Sequence, residues 1–291
     1  MLSRLSAHQI GVFAVVISAL LWSTGGLFIK LLPFEPMTIL FYRSVCAAVL
    51  FGVLFHKSLL KINGLTLLIS LFYVGLMTTF VFATKMTTAA NAIFLQYTAP
   101  IYVLLLEPLL FRIPLERINI ATIIVCFLGM ALFFLGDLEL GDMLANIISL
   151  ASGILLAALM LGQRKNDPAH HETAIFWGNI IMLLIAMPSY AQSPSPTLEQ
   201  WLMLLFLGFV QIGLGYLFFT YGLKRVLAIE GSLLAMLEPI LNPVWVFLGY
   251  GETPSKFAIL GGMIIVAMLA IRTIIVERKR YKQYKAISNL K

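Results

Sequence analysis

Residues 231–252, GSLLAMLEPILNPVWVFLGYGE, put a carboxylate, Glu238, beside Pro239, with Asn242 and Pro243 one helical turn further on, in an otherwise apolar run. At helical spacing Gly231, Ala235, Glu238 and Asn242 share one face, a small and polar stripe on a greasy helix. Pro239 removes a backbone donor and frees a carbonyl one turn back. In lipid the carboxyl and the freed carbonyl both need partners, so this face must turn toward protein or a wet cavity. Three roles fit Glu238: a protonatable coupling group, a polar anchor for the cavity, or a structural carboxyl kept neutral by burial and hydrogen-bonded to a neighbouring helix.

Arg43, in FYRSVCAAVLF, is a second charge inside an apolar stretch. It reads as a structural charge that needs an anionic or carbonyl partner. Lys30 and Lys85 sit near the ends of their stretches and can snorkel to the interface. Glu107 lies near an end as well, within reach of Arg112. Other stripes at i, i+4, i+7 supply further cavity candidates. These are Trp22, in line with Ser18, Gly25 and Ile29; Tyr73, Met77 and Phe80, in line with Thr84; Tyr102, in line with Asn91 and Thr98; Gln96 on another face; and Gln211, in line with Gly215, Phe218 and Gly222. With Glu238 and Asn242 they make the expected solute-binding set. Small residues at the same spacing, such as Ser149, Gly153 and Ala157, read instead as places where helices approach closely.

Several chemistries lack their residues. No G-x-x-x-x-G-K-[ST] loop is present for nucleotide phosphates, and no H-E-x-x-H pair for zinc. His8, His56, His170 and His171 fall outside the apolar stretches or at their ends. The His170-His171 pair reads as part of a solvated loop with no third ligand nearby. Cys46 and Cys126 fall within apolar stretches, as buried thiols. No cofactor or metal is expected, and no catalytic residue.

The elements that position these residues follow from composition. The chain has 291 residues, 60% hydrophobic and 11% charged. Soluble domains carry roughly 45–50% apolar and about 25% charged residues, so the expected class is a polytopic membrane protein. Ten apolar stretches of spanning length run at 10–32, 36–55, 64–84, 89–111, 118–136, 141–163, 173–190, 199–223, 229–250 and 256–276. The first is longer than a signal h-region and has no A-x-A site, so it is expected to stay as a span.

Lys and Arg fall on alternate sides. Arg4, Lys57, Lys61, Arg112, Arg117, Arg164, Lys165, Lys224, Arg225, Arg272 and the tail after Glu277 lie on one side, and Lys30, Lys85 and Lys256 on the other. The positive-inside rule then puts both termini in the cytoplasm, facing loops 137–142 and 190–199 that contain no Lys or Arg. The basic tail follows a span directly, which suits anionic lipid rather than nucleic acid.

The chain also repeats itself. KMTTAANAIFLQYTAPIYVLLLEPLLF, from Lys85, and KRVLAIEGSLLAMLEPILNPVWVFLGY, from Lys224, align with Lys85 on Lys224, Leu95 on Leu234, Pro100 on Pro239 and Leu109 on Leu248. Residues 1–137 and 138–276 then form two five-helix copies, with a basic tail at 277–291. Five is odd, so the second copy enters the membrane from the opposite side. Inverted repeats of this kind support alternating access around a site at mid-depth.

The whole pattern resembles the drug/metabolite transporter superfamily, and specifically its EamA-type ten-helix members. LLWSTGG at 20–26, FYRSVCAAVLF, TTAANAIFLQYTAP and LEPILNPVWVFLGYGETPS carry the resemblance. In half one, Ile113 stands where Glu252 stands in half two, so no family role passes to Glu107. The resemblance implies a carrier in the bacterial inner membrane, an all-α fold of ten transmembrane helices in two inverted five-helix repeats around a central cavity. It does not identify the solute, since relatives move amino acids, sugars, nucleotide derivatives and drugs. An apolar, aromatic cavity with a few polar handles suits amino acids or small amphipathic and aromatic compounds, with export the expected direction. A non-transporting receptor or assembly subunit, and an intramembrane enzyme, are the rival classes.

Overall fold

The computed structural model describes residues 6–87, 89–134, 143–250 and 256–288. Nearly all of them are helical, and the described residues contain no strand. We number ten elements. α1 comes in two pieces, Ala7–Trp22 and Gly25–Leu31. α2 is Pro36–Phe55 and α3 is Gly64–Met86. α4 is also in two pieces, Ala89–Gln96 and Ala99–Phe111. α5 is Arg117–Phe134, α6 is Met143–Lys165 and α7 is His171–Ala191. α8 runs from Leu198 to Leu223. α9 is divided into Ala228–Ala235 and Leu237–Tyr250, and α10 is Lys256–Ser288.

Local sequence sets the helix starts. Ser6 and Gln9 form a reciprocal capping box at the start of α1, Pro36 occupies the first turn of α2, and the Asn63 side chain accepts from the Thr66 amide at the start of α3. Among the described residues, eight helical stretches are long and apolar enough to cross a membrane; α5 offers a shorter one, Arg117–Leu132, and α9 is broken in two. The basic tail extends the last helix. α10 continues through it to Ser288, because Glu277–Ser288 contains no Gly or Pro and is rich in good helix formers. The expected far-side loop at 137–142 and Glu252 lie outside the described residues.

The bundle is apolar on the outside, and the charged and amide side chains deep in its spans are buried among an apolar core. Phe13, Val53, Leu105, Leu109, Leu260 and Met263 are exposed, while Arg43, Glu107, Glu230, Glu238, Gln163 and Gln211 are buried. Lipid tails solvate the former, whereas charged and amide groups must find protein partners.

Packing between the two halves follows one exchange rule. α1 lies on α8 as α6 lies on α3; α2 lies on α8 as α7 lies on α3; α1 lies on α9 as α6 lies on α4. α2 with α7, α4 with α9 and α5 with α10 are each their own counterpart. Swapping helix n of one half for helix n of the other leaves these pairings unchanged. Two similar five-helix units joined about a pseudo-two-fold axis pack in this way.

Candidate functional site

The interior site is built by helix breaks. Pro100 and Pro239 sit in the first turn of the second pieces of α4 and α9. Neither can donate a backbone bond, so each helix yields just before its proline, at Tyr97–Thr98 and at Met236. The two breaks meet across the pseudo-two-fold. The Tyr97 hydroxyl donates to Glu238 Oε2 at 2.6 Å, with both side chains buried. α1 breaks at Ser23–Thr24, whose hydroxyls turn back to the carbonyls of Leu20 and Leu21. α9 tends that break too, since Asn242 Nδ2 donates to the Ser23 carbonyl at 3.1 Å and Trp245 Nε1 to Ser23 Oγ at 2.7 Å. α6 passes the α4 break at Gly153, where a Cβ would come within 2.6 Å of Thr98 Oγ1 and 2.8 Å of the Gln96 carbonyl. Only glycine permits that approach.

Between these breaks lies a cavity of about 20 Å³, the space one water needs. Leu76, Met77 and Phe80 from α3, Leu156 from α6 and Ile212 and Tyr216 from α8 give it apolar walls. Trp22, Gln96, Gln211, Arg43 and Glu238 supply the polar edges. The aromatic side is continuous. Trp22 stands 4.8 Å from both Tyr216 and Phe219, and Tyr73 meets Tyr216 edge-on at 4.9 Å. Arg43 is 2% exposed. Its Nη2 donates to Gln211 Oε1 at 2.8 Å, while Gln211 Nε2 donates to the Trp22 carbonyl at 3.3 Å. Nε and Nη1 of Arg43 have no hydrogen-bond partner. Glu238 is 3% exposed, and among the described residues no ion pair joins it to Arg43. A buried cation and a buried carboxyl thus share one small, mostly apolar space.

The structure brings seven of the sequence-selected residues to this cavity: Trp22, Arg43, Met77, Phe80, Gln96, Gln211 and Glu238. Tyr73 sits one layer behind, bonded to Asn179 Oδ1 at 3.1 Å. Asn242 serves the α1 break. Tyr102, on the second piece of α4, is half-buried and away from the cavity. Two aromatic residues escaped sequence reasoning, and the apolar Leu76, Leu156 and Ile212 of the walls lay outside the expected set. Tyr97 is hidden because a break displaces it from the helical register of Asn91 and Thr98. Tyr216 is hidden because α8 winds as a π-helix over Phe206–Leu214. With i→i+5 bonding, one turn on from Gln211 is Tyr216 rather than Gly215. A proline marks the first irregularity; nothing in the local sequence marks the second.

At the end of the bundle that carries the chain termini, charged groups are paired. Glu107, expected to meet Arg112, instead meets Arg164 of α6 and accepts from the amides of Ala228 and Ile229, at 2.8 and 2.9 Å. It therefore caps the exposed N–H groups at the start of α9, where the helix dipole favours an anion. Arg164 also lies over the Phe111 ring, at 4.6 Å. His8 bridges Glu230 and Glu277, Arg272 bonds Glu230 and Asn119, and Lys224 pairs with Glu172. A wider recess of about 230 Å³ opens here between α4, α5, α9 and α10. Its charges are engaged with one another, Glu107 with Arg164, Glu230 with Arg272 and Lys279 with Glu116, which favours the central cavity as the solute site. His171, read as part of a solvated loop, is buried at the start of α7. Among the described residues no three His, Cys, Asp or Glu side chains lie close enough to hold a metal ion.

Comparison with known proteins adds an independent line. The EamA-like transporter family model matches the chain twice, over residues 9–135 and 140–273. An uncharacterized transporter of Archaeoglobus fulgidus is 24% identical over 262 residues, covering 90% of this chain and 95% of its own. An uncharacterized transporter of Bacillus subtilis is 25% identical over 277 residues, covering 89% and 88%. One crystal structure superposes with a TM-score of 0.78 at 18% identity, over 94% of this chain and 99% of that one, and so shares the fold.

Proposed function

The chain belongs to the EamA-like transporter family, and we propose that it is a secondary transporter that carries small organic solutes, amino acids or small amphipathic and aromatic compounds, through the central cavity by alternating access. One observation carries this reading. Arg43 and Glu238 are buried together on an aromatic-lined cavity, at the place where the broken helices of the two halves meet. Broken helices around a mid-depth site are how carriers expose polar groups to a solute without exposing backbone to lipid.

The halves divide at 137/138, a reading supported by the double family match and by packing that survives their exchange. The second half runs inverted to the first. The family resemblance implies a bacterial inner membrane, and the distribution of Lys and Arg supports both termini being cytoplasmic. The basic residues after Glu277 lie against anionic headgroups. Export is the direction, with a solute or ion gradient as the source of energy. Glu238 is the coupling group, reached from the cavity and held by Tyr97.

The test is counterflow in liposomes, with the purified protein and a panel of labelled amino acids and aromatic amines. Saturable exchange of at least one compound is expected. No exchange across the panel would return the protein to the receptor or assembly-subunit class.

A further inference from the structure

We propose that Arg43 is the anchor for a carboxylate on the transported solute. The proposal rests on the transporter reading above and narrows its solute class to monocarboxylates, amino acids included.

Arg43 lies in an interior where an unpaired cation is costly. Its protein partners leave it under-served. Gln211 takes one nitrogen through a neutral amide oxygen, and Nε and Nη1 have no acceptor. The carboxylate that shares the cavity is committed elsewhere: Glu238 receives the Tyr97 hydroxyl and makes no ion pair with Arg43 among the described residues. A guanidinium held by one neutral contact, with two buried donor nitrogens left over on a residue that lines the cavity, is a ready receptor for an acceptor-only group. A carboxylate is that group.

Size and charge choose between anions. The cavity has room for one water, or for a flat head group of a few atoms. A phosphate brings more than one negative charge and three strong acceptor oxygens, and would have to sit beside Glu238 with a single cation to balance it. A carboxylate brings one charge. Gln211 is then a positioning residue. It fixes Nη2 and ties the guanidinium to the α1 break through the Trp22 carbonyl, so anchoring a solute is linked to a hinge.

The experiment compares matched pairs that differ only in the carboxylate: phenylalanine with its amide, and leucine with its amide. Competition against counterflow is measured on wild-type protein and on Arg43→Gln and Arg43→Lys, each checked for monodispersity and melting temperature. Wild type is expected to prefer the acid over the amide by about 10-fold to 100-fold, the range of a hydrogen bond to a charged group. Arg43→Gln is expected to bring that ratio near one by weakening the acid more than the amide, and Arg43→Lys to restore part of it. A wild-type protein that takes amides as well as acids overturns the anchor while leaving the transporter reading standing, and this holds even if Arg43→Gln does not fold. A folded Arg43→Gln that keeps the acid preference overturns it as well. Exchange of aromatic amines but of no carboxylate-bearing compound overturns the anchor alone, and no exchange across the whole panel overturns both readings.

Discussion

The two ends of the bundle are closed by different forces. The end with the termini is held by charge. All six ion pairs found among the described residues lie there, and those of Glu107 with Arg164, His8 with Glu230 and with Glu277, and Lys279 with Glu116 each join one half to the other. Among the described residues, the far end joins the two halves by neutral and aromatic contacts. Phe41 stacks on Tyr190 at 4.2 Å, Tyr42 meets Trp201 edge-on at 5.1 Å, and Asn91 Nδ2 donates to Asn146 Oδ1 at 2.6 Å. Lys30 and Lys85 are at this end too, but donate to the carbonyls of Thr87 and Leu32 within the first half. Removing one partner of a buried pair strands the other, so a charged closure resists partial opening. Aromatic pairs are individually weaker, and each can form or separate on its own. On the transporter reading proposed above, the far end is expected to be the easier one to open.

Four substitutions break or sharpen that contrast. Glu107→Ala should have the largest effect, about 3–5 kcal/mol, because it strands Arg164 and two helix-start amides together. Thermal unfolding in detergent reads it, and an unchanged melting temperature would erase the distinction between the ends. Gly153→Ala acts at the α4 break between them. Its Cβ presses on the Gln96 carbonyl and Thr98, at a cost of about 1–3 kcal/mol; a fully stable variant would mean that α6 gives way freely. Glu238→Gln preserves an acceptor for Tyr97, so stability should hold while counterflow falls about tenfold, equivalent to about 1.4 kcal/mol in barrier, and loses its pH dependence. Wild-type rates at every pH would make this carboxyl purely structural. The smallest effect is expected from Trp201→Leu at the far end, about 0.5–1.5 kcal/mol for the aromatic pair with Tyr42 that it removes. That variant should nonetheless label faster at a cysteine placed beside the cavity, from the far side; equal labelling in Glu107→Ala and Trp201→Leu would refute the asymmetry.

Much of the cavity was legible because lipid makes polar residues conspicuous. Glu238, Arg43, Gln96 and Gln211 are costly inside an apolar helix, so their presence alone directs them inward. Trp22, Met77 and Phe80 followed from sharing faces with small or polar neighbours. Tyr102 obeyed the same rule and lies elsewhere, since an i+4 count carried across the break at Thr98 no longer describes one face. Tyr97 and Tyr216 were illegible for the matching reason: each owes its place to a departure from regular winding.

The sequence by itself determined the membrane class, the ten apolar stretches, the register of Pro100 with Pro239 and the concentration of Lys and Arg on one side. These depend on composition and on neighbours within a turn or two, where hydropathy and backbone chemistry act locally. Only the tertiary structure decided which charges pair. Glu107 finds Arg164 and the α9 amides rather than the nearby Arg112, and Tyr97 finds Glu238 from the other half. A buried charge takes whichever partner the packing of distant helices brings within hydrogen-bonding range, and spacing along one helix holds no record of that choice.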